Sequence, residues 1–154
     1  MRNWLAVCLG TALISTLSIT TANAQPEVHE LNTPFVVTMV NPCNAEPVTI
    51  TGTLSTTVQI TSSDSGNFHN SIHNVSKGDG VGAWTDAKYT YSEEFYSGVT
   101  TSATTTMTQI LTQRLTSASS TDNFSFSMRF HLTVTPGGMP TAMIDRFEPT
   151  GCRG

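Results

Sequence analysis

Six side chains in this chain have the types and spacing that chemistry uses. His69 and His73 stand four apart in FHNSIHNV, His131 lies in MRFHLTV, and Tyr89, Tyr91 and Glu93 alternate through KYTYSEEF. The first test is whether the two close histidines hold a metal. Their segment reads as a strand, where residues four apart share a face but lie about 13 Å from one another. Zinc requires nitrogens about 2 Å from the ion, so this pair cannot chelate it together. A helix would bring them close enough, but Asn70, Ser71, Asn74 and the flanking turns are poor helix formers. His131 sits on the polar face of a distant strand and could approach one of the two, not both. With Phe68 and Ile72 facing a core, His69 and His73 face solvent or a polar cavity beside Ser71. No metal is expected.

The carboxylates lead to a similar reading. Glu93 and Glu94 are strand neighbours and point to opposite faces, so they cannot flank one glycosidic bond. Glu93 shares its face with Tyr89, Tyr91 and Phe95, which suits a rim residue. There is no G-x-S-x-G elbow, and no cysteine is free to act as a nucleophile. The turns SSDSGN and SKGDGVG each carry one aspartate, too few hard ligands for calcium. No catalytic residue and no cofactor is therefore expected. The six residues stand as candidate ligand-binding positions, with a secreted enzyme built on His69, His73, His131 and Glu93 as the alternative. NVS at Asn74 and NFS at Asn123 match the glycosylation acceptor pattern.

What must position these groups is a series of strands. TPFVVTMV (33–40) is β-branched and aromatic, and NPC breaks it. In PVTITGTLSTTVQI, Val48, Ile50, Leu54, Val58 and Ile60 alternate with Thr49, Thr51, Thr53, Ser55, Thr57 and Gln59, the period-two pattern of a half-buried strand. FHNSIHNV returns after SSDSGN, and SKGDGVG is expected to be the next break. AWTDAKYTYSEEFYS follows as a strand. Residues 99–115 fit a strand better than two turns of helix, because TSATTTMT is a poor helix former. In NFSFSMRFHLTV, Phe124, Phe126, Met128, Phe130, Leu132 and Val134 make one apolar face, and PGG turns the chain into MPTAMIDRF.

The first residues belong to no strand. A weakly basic start, an apolar stretch from Trp4 to about Ile19 and the A-x-A site Ala22-Asn23-Ala24 read as a signal peptide over 1–24. That leaves 25–154 as a single exported domain with no membrane span, periplasmic or secreted. Cys8, in LAVC, has too short a lead for a lipid-modified cysteine. After cleavage Cys43 and Cys152 remain, and an even count in an oxidising compartment predicts a disulfide between them. A net charge of −4, with 12% charged residues and no basic run, argues against nucleic acid and against anionic membrane surfaces.

FVVTMVNPCNAEPVTITGTL, GNFHNSIHN and the terminal TGC together resemble a group of small exported bacterial proteins of unassigned function. These share an Asn-Pro-Cys turn, a histidine-bearing strand and a late cysteine. Ala45-Glu46 stands where the resemblance implies Gly-Glu, and the resemblance implies no activity.

The expected fold is all-β: an antiparallel up-and-down β-barrel, lipocalin-like, of 7–8 strands, with a two-sheet β-sandwich as the alternative. The expected role is non-enzymatic, binding a small apolar ligand or serving an envelope interaction. An adhesive or structural module is the other alternative, and the pattern leaves oligomeric state open.

Overall fold

The computed structural model describes residues 26–118 and 123–153, so the expected leader and Cys8 lie outside the described residues. Seven strands follow one another as hairpins: β1 (Glu27–Val40), β2 (Pro47–Ser62), β3 (Phe68–Gly82), β4 (Lys88–Thr101), β5 (Thr105–Ser117), β6 (Asn123–Val134) and β7 (Pro140–Arg153). Their order in the single sheet is their order in the chain, and every pairing is antiparallel. Residues 99–115 are strand on both sides of a three-residue turn, Ser102–Thr104. Among the described residues no helix is long and apolar enough to cross a membrane.

The register carries the alternation across the sheet. Tyr91, for example, lies opposite Gly78 on one side and Leu115 on the other. One face thus collects Phe35, Met39, Val48, Ile50, Tyr89, Tyr91, Leu115 and Phe124, and these form the hydrophobic core. This is the inner face. The outer face carries the threonine row of β2, the histidines of β3 and β6, and Thr108, Thr112, Ser125 and Ser127.

The sheet is rolled at one end. Cys43, in the turn after β1, is disulfide-bonded to Cys152 in β7, with their Cα atoms 5.3 Å apart. Six interstrand steps in a flat sheet would separate those edges by about 29 Å. The Phe35 and Tyr91 rings, on β1 and β4, are likewise only 6.3 Å apart at their centroids. Yet the roll is not closed by hydrogen bonds, since β1 and β7 do not pair among the described residues. The strand count gives the reason. With seven strands β1 and β7 run in the same direction, so an antiparallel ladder cannot continue across the seam.

One expected break is absent. SKGDGVG is the second half of β3, and the chain turns afterwards at Ala83–Ala87, so AWTDA, expected to begin the next strand, is the turn instead. Gly78, Gly80 and Gly82 alternate on the inner face, so they keep the strand period while removing its side chains. A Cβ on Gly80 would meet Val48 Cγ1 at 2.7 Å and Tyr89 Cβ at 3.3 Å. Gly80 is thus room for the core, Gly82 is room for the Glu46 carboxylate, and Gly78 lets the β2 backbone at Thr51 come close, so none of the three is a turn former. Two further strands exceed their expected lengths: β1 begins at Glu27, and β7 runs on through the terminal cysteine.

Candidate functional site

The NPCNAE turn is built as a clamp. The Asn41 side chain accepts from the Cys43 amide at 3.0 Å, and the Asn41 carbonyl accepts from the Ala45 amide at 2.8 Å. Ala45 then adopts a left-handed φ of 62°, which aims Glu46 inward. The Glu46 carboxylate is buried and accepts from the Trp84 amide (2.9 Å), the Thr85 amide (2.7 Å), the Thr85 hydroxyl (2.8 Å) and the Tyr89 hydroxyl (3.0 Å). Burial alone would push its pKa up; the backbone and side-chain donors outweigh this and hold it below the ordinary value of 4.5. This tie between the first and third turns was missed by sequence reasoning. Its signal was present in Glu46 itself, a carboxylate two residues before the deeply apolar Val48.

The six candidate residues divide between the two faces. Tyr89, Tyr91 and Glu93 lie on the inner face, in register with Gly80, Gly78 and Ser76. Tyr89 serves the Glu46 clamp. Tyr91 donates to Glu93 Oε2 at 2.8 Å, and the Gln113 amide donates to the same oxygen at 2.9 Å. Burial pushes the Tyr91 hydroxyl up to about 12; the Gln113 amide opposes this, and the neighbouring Glu93 carboxylate adds to it. Glu93 therefore has fixed partners at the floor of the inner face.

His69, His73 and His131 lie on the outer face, each bonded across one strand boundary. His69 Nδ1 is 2.9 Å from Thr100 Oγ1, His73 Nε2 is 2.8 Å from Glu94 Oε1, and His131 Nδ1 is 2.8 Å from Thr108 Oγ1. Strands β4 and β5 separate His131 from the other two. A cluster of His69, His73, His131 and Glu93 does not assemble, because Glu93 faces the other way; the carboxylate that meets a histidine is Glu94. Among the described residues no group of three or more His, Cys, Asp or Glu is arranged to hold a metal ion.

Two surfaces bear on ligand binding. On the outer face a depression of about 540 Å³ is lined by Thr57, Gln59, Ser71, His73, Glu94, Tyr96, Ile110 and Thr112. On the inner face, beyond the core, Phe95, Val99, Met107, Leu111, Phe126, Met128, Phe130 and Leu132 are only half buried. Along β7 that face is open, with Met143 68% and Phe147 62% exposed. On β3 the Oδ1 atoms of Asn70 and Asn74 are buried there without a hydrogen-bond partner among the described residues. No family model, curated protein or solved structure matches the chain.

Proposed function

We propose that this is an exported, non-enzymatic protein that works as a partly closed barrel and holds an elongated apolar molecule along its inner face. The observation that carries this reading is the unfilled half of that face. The large side chains from Phe95 to Leu132 could have packed one another dry, yet they stay half buried with Phe147 and Met143 exposed beside them. Contiguous exposed apolar surface on that scale marks a binding surface. The two unpartnered asparagine carbonyls sharpen the ligand class. A buried acceptor without a donor costs about 1–3 kcal/mol, and a ligand hydroxyl, amide N–H or protonated carboxyl lying along β3 would supply one. An acyl chain with a hydrogen-donating end fits both features.

Export and the likeness to small exported bacterial proteins belong to the same proposal. The Cys43–Cys152 disulfide supports them, since such bonds persist in oxidising compartments. The test is native mass spectrometry of the protein purified from its own host, followed by titration with a fluorescent long-chain fatty acid. A retained lipid and saturable binding are expected, weakened at least about tenfold by Leu111→Asp, equivalent to ~1.4 kcal/mol. A wild-type protein that arrives empty and binds no fatty acid overturns the reading.

A further inference from the structure

The outer depression differs from the inner face in carrying hydroxyls, an amide and a carboxylate beside its apolar surface. It spans four strands, β2 to β5, and three rows of the register. Thr57, His73, Tyr96 and Ile110 form the middle row; Gln59 and Ser71 flank it on one side, Glu94 and Thr112 on the other. Such a patch measures about 14 Å across the strands and about 13 Å along them. This is the footprint of a disaccharide. Gly98 completes the row of Gln59 and Ser71, and the Tyr96 side chain lies back over it: a Cβ there would meet the Tyr96 ring carbons at 3.0–3.1 Å. A ring is thereby laid along the sheet surface where a side chain would otherwise stand up.

The chemistry of the lining excludes most alternatives. None of the eight lining residues is Lys or Arg, and the outer-face Arg129 opposite Ile110 lies outside the lining, so the depression itself offers a phosphate or sulfate no cation. Ile110, the Tyr96 ring and the threonine methyl groups are apolar, but hydroxyls, an amide and a carboxylate are interleaved with them, so an acyl chain would strand polar groups on either side of it. What remains is a dense mixture of donors and acceptors: four hydroxyls (Thr57, Ser71, Tyr96, Thr112), the Gln59 amide, and the His73–Glu94 pair. In that pair Glu94 Oε1 is taken by His73, which leaves Oε2 pointing at no protein donor among the described residues. Vicinal hydroxyls pair well with such an arrangement, since each one both donates and accepts. A pyranose also has an apolar C–H face that packs on an aromatic ring.

From these residues we infer that the outer face carries a second, independent site for neutral carbohydrate, centred on Tyr96 and the His73–Glu94 pair. Glu94 accepts from ring hydroxyls in charge-assisted bonds, and His73 holds the carboxylate in place. Tyr96 and Ile110 receive the flat face of the sugar.

Titration of the full chain with cellotetraose, maltotetraose, chitotetraose and mannotetraose, followed by amide chemical shifts, tests this. At least one is expected to bind saturably and to shift outer-face amides of β2–β5. Tyr96→Ala and Glu94→Gln are each expected to weaken it at least tenfold. Both residues are at least partly exposed, so an unchanged amide spectrum in the free variants separates lost binding from lost folding. Leu111→Asp, on the inner face, should leave sugar binding intact, so this site can fail or hold independently of the apolar one. No shift with any of the four sugars, binding indifferent to both outer-face variants, or preference for a sulfated heparin fragment overturns the inference.

Discussion

The two ends of this sheet are made of the same seven strands, yet only one of them has an interior. At the disulfide end Val48, Ile50, Tyr89, Tyr91 and Leu115 are buried, Gly80 clears space for them, and Glu46 ties two turns together. Toward the tips at Ser63–Asn67, Ser102–Thr104 and Thr135–Met139, the same inner face is half buried and both faces meet solvent. Apolar content does not explain the contrast, since β6 keeps its alternation from Phe124 to Val134. The difference is curvature. Where the sheet rolls, one face shields itself; where it opens, an equally apolar strand stays wet. Stability thus gathers at one end, and the other leaves its apolar face open.

Removing the cross-link should perturb that contrast most. The disulfide joins residues 109 apart, and chain entropy for such a loop amounts to about 4–5 kcal/mol, an upper figure for the double variant Cys43→Ser/Cys152→Ser. Urea denaturation measures the loss, and amide exchange should accelerate first in β1 and β7. A loss below ~1 kcal/mol would mean that core packing alone holds the roll.

Next in size is a pair of matched truncations on the same face. Ile50→Ala, at a fully buried site, is expected to cost about 2–5 kcal/mol. Ile72→Ala, two strands from the edge in the half-buried region, removes the same atoms from a site that is already partly hydrated. Its cost should be under ~2 kcal/mol by the transfer contribution alone. Equal losses in the two variants would abolish the distinction between the ends.

Acid should unpick the packed end selectively. Glu46 has a folded pKa below its ordinary 4.5, so its contribution to stability is present in full above that value. It is lost as pH falls through the lower folded value, when the carboxylate takes a proton. Glu46→Gln keeps the size but meets the Trp84 and Thr85 donors with an amide. The variant should be less stable at neutral pH, and the gap to wild type should narrow below pH 4.5. Thermal melts across that range measure it; a constant gap would show that charge at Glu46 is immaterial.

The strands were legible because alternation survives any later curvature: Val48 to Ile60 and Phe124 to Val134 fall on the face their spacing implies. The disulfide was legible from parity. Whether the sheet closes was not, because that depends on strand count, and a tally of seven or eight leaves the relative direction of the two edges undetermined. Nor was the role of SKGDGVG, since glycine serves a turn and a crowded strand alike, and only the neighbours Val48 and Tyr89 decide between them. The candidate site divided for a related reason. Histidines and tyrosines on different strands can share a cluster only if register puts them on one face, and register lies in pairings between strands rather than along any one of them.

The smallest effect tests the residue on which the packed end turns. Ala45 holds a φ of 62°, a conformation that costs an L-residue roughly 1–2 kcal/mol and glycine nothing comparable. Ala45→Gly relieves that cost in the folded state but gives the unfolded chain more freedom, worth about 0.4–1 kcal/mol in the opposite direction. The two partly cancel, and a net stabilisation of about 0–1.6 kcal/mol is expected by this subtraction. The side chain of Ala45 is exposed, so no packing contact is lost with its methyl group. The sign therefore reads backbone strain against the freedom gained by the unfolded chain. A destabilised variant would mean that the turn needs the stiffness of alanine more than it suffers from the angle, and that the clamp is held by chain rigidity rather than by the donors around Glu46.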